Sequence, residues 1–184
     1  MKLGKLAVHK IMKFKENETF YLRENVKGRA ESGCAFVCSF GDDAVQFFFD
    51  VEDDHIVSPF AEDNEDIWQG DAVEVFISPD GDLKHYKELE VSPFGVRFYA
   101  DVYNKTGRKP VVQKITPAFE AQAALTDKGY RVTVRLPYDA LPGYERSKVR
   151  FNAYCLDMRP DGKQLLYALN PTLCKSFHRP KYFL

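Results

Sequence analysis

Glutamates spaced two apart in strand-like runs are the residues of this chain best suited to chemistry. In AVEVFISP (72–79), alternation puts Val73, Val75 and Ile77 on one face and Glu74 and Phe76 on the other. In HYKELEVS (85–92), Leu89 and Val91 take the apolar face, with Glu88, Glu90 and Ser92 opposite, and in VRFNAYCLD (149–157) Asn152 and Tyr154 share a face. If these runs are neighbouring strands, one sheet displays Glu74, Glu90, Ser92, Asn152 and Tyr154 as a polar floor. Carboxylates, amides and hydroxyls in a row exchange hydrogen bonds with sugar hydroxyls, and aromatic rings pack on the C–H face of a pyranose. Two other readings stay open at this point. The row is the solvated side of an antiparallel sheet, or Glu74 and Glu90 form the carboxylate pair of a retaining glycosidase, which needs about 5 Å between them.

Trp68, the single tryptophan, lies in DNEDIWQGDAVEVFISPDG (63–81) among acidic and small residues rather than inside an apolar run. It either covers the edge of a core or meets a ligand.

The elements that position these residues read as strands. Short alternating or apolar runs occur at 33–40, 44–52, 72–79, 85–92, 95–103, 119–126, 130–137 and 149–157, separated by Gly, Asp, Asn and Pro. Gly41-Asp42-Asp43 and Asp127-Lys128-Gly129 predict tight hairpins. Residues 137–142, bounded by two prolines, have room for one helical turn. The expected fold is all-β: a single antiparallel β-sandwich of immunoglobulin-like or jelly-roll-like architecture with little helix, in one domain spanning 1–184. The less patterned residues 1–25 predict an edge strand or an arm.

Composition narrows the partners. The 184 residues are 45% hydrophobic, 14% aromatic and 29% charged, an ordinary globular balance. Twenty-six basic against 27 acidic side chains give no electrostatic footprint for nucleic acid or an anionic membrane. No apolar run reaches the length of a membrane span. The N-terminal residues break their apolar run with His9, Lys10, Lys13 and Lys15, so no secretion signal is read and the expected location is cytoplasmic, or extracellular if the chain is a trimmed form. Cys34 and Cys38 are four residues apart on one strand, about 13 Å, beyond disulfide reach, and with Cys155 and Cys174 they form no zinc motif. No cofactor and no metal ligand are expected from these patterns. The spacing of Met158 and His178 does not argue for axial ligation of a haem, and His178 is expected to hydrogen-bond within the final loop.

The order of motifs adds a resemblance. Residues 44–103, with a hydrophobic strand ending in an acidic residue, then IWQGDAVEVFISPDG and YKELEVSPFG, resemble the family 9 carbohydrate-binding modules and their relatives. FNAYCLD (151–157), NPT (170–172) and SFHRPKYF (176–183) are similar to the family's closing strands and final loop. The resemblance implies a β-sandwich that binds a mono- or oligosaccharide without catalysis, in polysaccharide metabolism, as a partner of glycoside hydrolases acting on the same glycan. By it, Trp68 and Phe177 are the two walls of an aromatic clamp, Phe177 standing where sugar-binding members have a tryptophan. Glu74 matches a sugar-contacting glutamate. Glu90 and Ser92 stand where an arginine and an asparagine make contacts, and Tyr154 where a glutamine does. The resemblance also makes the acidic loop Glu62 to Asp66 a candidate for structural calcium, although the alternating ligands of an EF-hand are missing. A sandwich that serves as an interaction domain without sugar binding is the remaining alternative.

Overall fold

The computed structural model describes residues 14–29 and 31–184. Eleven strands form one antiparallel succession: β1 (Phe20–Glu24), β2 (Glu31–Phe40), β3 (Ala44–Glu52), β4 (Ala72–Ser78), β5 (His85–Val91), β6 (Arg97–Tyr103), β7 (Val111–Lys114), β8 (Glu120–Thr126), β9 (Gly129–Pro137), β10 (Arg150–Met158) and β11 (Gln164–Ala168). Their spatial order is β7-β6-β5-β4-β10-β11-β1-β2-β3-β9-β8. Helix among the described residues is confined to three 3₁₀ turns, Ile67–Gln69, Tyr138–Ala140 and Pro180–Tyr182.

The sheet curls over on itself and closes a core between its two halves. Val73, Val75, Ile77, Leu89 and Val91 from one half meet Phe36, Phe47, Phe49, Val132 and Val134 from the other in a single buried cluster. Val73, Val75, Ile77, Leu89 and Val91 are the residues that alternation assigns to the apolar faces. Cys34, Cys38 and Cys155 belong to the same cluster as free thiols.

Local chemistry explains the turns. Gly41 N–H donates to Ala44 O at 2.9 Å and closes the β2–β3 hairpin. At the β8–β9 turn Thr126 pairs with Gly129, and a Cβ at Gly129 would lie 2.1 Å from Val51 O, so only glycine fits.

The structure corrects one expectation. Residues 20–24 are not an edge: β1 pairs with β11 on one side and β2 on the other, and Leu22 is fully buried. The part of the expected arm before residue 14 lies outside the described residues. Among the described residues the edges are β7 and β8.

Candidate functional site

The β4–β5–β6–β10 layer differs from an ordinary sandwich layer because its second face is also covered. Residues 169–184 cross that face, and Phe177 and Phe183 pack with Phe76, Tyr86, Tyr154 and Leu156 in a second buried cluster. Hydrogen bonds to polar side chains hold the segment down. Asn152 Nδ2 donates to Asn170 O at 2.8 Å while its Oδ1 accepts from Asn170 N–H at 3.0 Å. Asn25 does the same from β1's end, donating to Thr172 Oγ1 at 2.9 Å and accepting from Thr172 N–H at 2.7 Å. Tyr154 O–H donates to Phe177 O at 3.2 Å, and their rings stack with centroids 4.1 Å apart. Tyr86 O–H and His178 Nδ1 share a hydrogen bond of 2.9 Å.

Where this cover stops, a cleft of about 570 Å³ remains, lined by Trp68, Glu74, Phe76, Glu88, Phe98, Phe177 and His178, with Lys114, Gln164 and Lys175. Trp68 forms one side and is 48% exposed. Its turn is fixed from below: Ile67 is fully buried, Gln164 Nε2 donates to both Trp68 O and Gly70 O at 2.9 Å, and Asp71 accepts from the backbone N–H of Val57 and of Met158. A Cβ on Gly70 would meet Val57 O at 2.5 Å, so that close approach requires glycine. Phe177 also lines the cleft, 8% exposed, with its ring stacked on that of Tyr154.

The floor is acidic and almost sealed. Glu74 faces Glu90 directly across the β4–β5 ladder and Tyr154 across the β4–β10 ladder, and Glu88 lies opposite Phe76 on the same face. Glu74 is 4%, Glu88 5% and Glu90 0% exposed. Burial, reinforced by the neighbouring carboxylates, pushes Glu74 and Glu90 well above the usual carboxylate range, and burial brings Glu88 to about 7. The three groups can hydrogen-bond one another only through shared protons. Burial also lowers His178 to about 4, so its ring is neutral at pH 7.

The sequence-derived residues therefore separate. Trp68, Phe177 and Glu74 meet at the cleft, with Glu90 directly behind Glu74. Tyr154 backs Phe177, and Asn152 ties down the covering segment. Ser92 Oγ accepts from Phe94 N–H and Val96 N–H, which shapes the β5–β6 turn. Glu88 and His178 are cleft residues that the sequence reading left out of the site, although alternation already placed Glu88 beside Glu90. In the acidic loop, Asp63 is engaged by Arg97, Asp66 by Lys114, and Glu65 by the backbone N–H of Ala61 and Glu62. Among the described residues, the carboxylate groups close enough to share a cation lie elsewhere: Glu74, Glu88 and Glu90, and separately Asp53, Asp71 and Asp157.

Comparison with known proteins accords with this architecture. A candidate carbohydrate-binding protein from Bacteroides uniformis superposes with a TM-score of 0.72 at 15% identity, covering 90% of this chain and 84% of its own. A family 9 carbohydrate-binding module from Caldicellulosiruptor kristjanssonii, in complex with cellotriose, gives 0.59 at 15% identity over 89% of this chain and 78% of its own. A family 9 module of the same organism in complex with glucose gives 0.55 at 14% identity over 89% and 81%. At these identities the likeness is one of fold. No curated protein matches the chain. The profile of carbohydrate-binding family 9 matches residues 18–135, a span that includes Trp68, Glu74, Glu90 and Ser92 and ends before β10 and the covering segment. With more than half of its length matched, the chain belongs to carbohydrate-binding family 9.

Proposed function

We propose that the chain binds a saccharide without catalysis, with a ring of the ligand held between Trp68 and Phe177 over Glu74 and Glu88. The observation that carries this reading is the half-exposed indole at the mouth of a cleft that no side chain among the described residues fills. A large aromatic surface left in water is costly unless it meets an apolar face, and the C–H face of a sugar is one. A filled clamp would have favoured an interaction domain instead. The complexes of the Caldicellulosiruptor modules make glucose and β-linked glucose oligomers the first ligands to test. On this reading the biological partners are glycans and the glycoside hydrolases that act on them.

Hydrolysis is disfavoured by the same geometry. A retaining glycosidase sets two carboxylates on either side of the scissile bond. Here Glu74 and Glu90 sit on one side, and Glu90 is sealed away from the cleft.

The test is a fluorescence titration. Trp68 is the only tryptophan, so selective excitation reports on one position. Free protein should emit at long wavelength and be quenched by acrylamide, and glucose, cellobiose or cellotriose should shift and protect the emission. Affinities of about 1 μM to 1 mM, about −8 to −4 kcal/mol, require titration into the millimolar range. Emission that responds to none of a panel extended to xylose, galactose, xylobiose and lactose would remove saccharide binding from this cleft.

A further inference from the structure

We propose that Glu74, Glu88 and Glu90 form a site for a hard divalent cation of the calcium type at the floor of the cleft, its open side turned to the hydroxyls of the bound saccharide. The second half of this proposal rests on the saccharide reading above; the first half does not.

One carboxylate oxygen from each glutamate lies within 4.8 Å of the other two. An ion between them lies at most about 2.8 Å from each oxygen, so a side-chain shift of a few tenths of an ångström reaches calcium's range of about 2.3–2.6 Å. Glu90 is fully buried and neither of its oxygens receives a hydrogen bond, and Glu88 Oε2 also lacks a donor, among the described residues. Buried acceptors aimed at one another are expensive unless something positive stands among them. Two nearby lysines are engaged elsewhere, and His178 Nε2, 4.0 Å from Glu88 Oε2, is too far to donate a hydrogen bond. Lys114 Nζ donates to Asp66 at 2.7 Å and to Asn64 O at 2.8 Å, and Lys87 pairs with Asp101 at 2.6 Å on the opposite face of β5.

The shape of the floor favours a bare ion over an ammonium carried on a sugar ring. Glu90 does not line the cleft, so a ring-borne group can reach Glu74 and Glu88 but not the oxygens behind them. A dehydrated ion reaches all three. The donor set is carboxylate oxygen throughout, which suits calcium, magnesium or manganese rather than a thiolate-seeking metal. Calcium takes six to eight oxygens, more than the one oxygen that each glutamate brings to the cluster, and Glu74 and Glu88 open on the cleft. The unfilled positions therefore face the ligand. The other carboxylate cluster is differently employed: both oxygens of Asp71 already accept backbone N–H groups, and Asp157 lies 3.5 Å from Arg159.

The full chain, stripped with EDTA, would be titrated with calcium chloride and separately with magnesium chloride by calorimetry, with the melting temperature followed in parallel. Calcium should bind saturably and raise the melting temperature. Glu90→Gln, neutral and of the same size, should weaken calcium at least about tenfold because one charged ligand is lost. Glu88→Gln should do likewise, and Asp53→Asn should not; circular dichroism shows that each variant is folded. The Trp68 response to cellobiose should weaken at least about fivefold in EDTA, by the loss of ion-to-hydroxyl contacts. Absence of calcium uptake at millimolar concentration, or uptake unaffected by both glutamate variants, overturns the site. An equal cellobiose response in EDTA and calcium overturns the ion's role in sugar recognition and leaves the saccharide reading standing. No cellobiose response in either medium counts against the saccharide reading, while calorimetry still decides the cation site.

Discussion

β3 and β4 are alternating strands that each pair on both sides, and they differ in what lies against their second face. β3 turns Val45, Phe47, Phe49 and Val51 into the core and leaves Phe48 and Asp50 exposed. β4 turns Val73, Val75 and Ile77 into the same core, yet Glu74 and Phe76 on its other face are buried too. The alternation is the same in kind; the covering segment 169–184 makes the difference. On β3 the outward charges pair in water, as Asp50 does with Arg131. On β4 and β5 the outward charges lie under a lid of aromatic rings, where carboxyl groups hold protons or a cation. The proposed binding cleft lies where the cover stops short and leaves Glu74 and Glu88 open to one side.

The sharpest way to break this comparison is to truncate the outward phenylalanine in each layer. Phe76 is fully buried against Tyr86, Tyr154 and His178, and Phe76→Ala should cost about 3–5 kcal/mol in a urea melt, the range for a deleted core phenylalanine. Phe48 is 37% exposed, and Phe48→Ala should cost about 1 kcal/mol or less. Equal costs would mean that the C-terminal segment does not cover the β4 layer.

The acidic floor gives a second contrast, in pH. Glu88 is raised by burial from its ordinary 4.5 to about 7 in the fold. The folded state then binds the proton more tightly than the unfolded chain, so this contribution to stability is fully present below the unfolded value and is lost as pH rises through about 7. In EDTA, Glu88→Gln should be more stable than the parent at pH 8 by about 3 kcal/mol and nearly equal to it at pH 4, as thermal melts across that range would show. A parent protein whose stability does not fall between these pH values would mean that the floor is open to water.

Asn152→Ala should come next, at about 1–3 kcal/mol, since it removes both hydrogen bonds to Asn170 and leaves those backbone groups without partners. Because the same bonds hold the segment bearing Phe177, this variant should also weaken the saccharide response of Trp68. Ser92→Ala, whose hydroxyl serves only the β5–β6 turn, should leave that response unchanged. If Ser92→Ala weakened the sugar and Asn152→Ala did not, the separation of floor from scaffold would be reversed.

These contrasts mark the boundary of what the sequence discloses. The eight strands read from alternation stand within about two residues of their observed limits, because period-two burial against one core is a local signal. β1, β7 and β11 escape it: FYLRE and QLLYA are short and mix charge with apolar residues, and VVQK is an exposed edge. Glu74, Glu90, Ser92, Asn152 and Tyr154 do share a face, as their spacing requires, but the spacing does not say whether that face meets water. Its cover, NPTLCKSFHRPKYF, has no periodicity, and it is held by partners distant in sequence, such as Asn25 with Thr172. Such side-chain-to-backbone bonds leave no pattern along the chain. Trp68 was more legible, since a tryptophan among acidic and small residues has no adjacent apolar run to bury it.

The smallest expected effect tests the solvated layer. Arg131 Nε donates to Asp50 Oδ2 at 2.9 Å across the β3–β9 ladder, with both side chains at least half exposed. A pair in water gains little from attraction and loses side-chain freedom in holding one geometry, so a double-mutant cycle of Asp50→Ala and Arg131→Ala should return about 0.2–1 kcal/mol of coupling. That coupling should shrink further in 1 M salt, where the screening length falls to about 3 Å. On the β4 layer, a perturbation at Glu90 should depend less on salt, because that side chain is fully buried and no mobile ion shell surrounds it. Coupling of several kcal/mol at Asp50–Arg131, or insensitivity to salt, would mean that the outer face of β3 is covered as well, and the contrast between the two layers would fail.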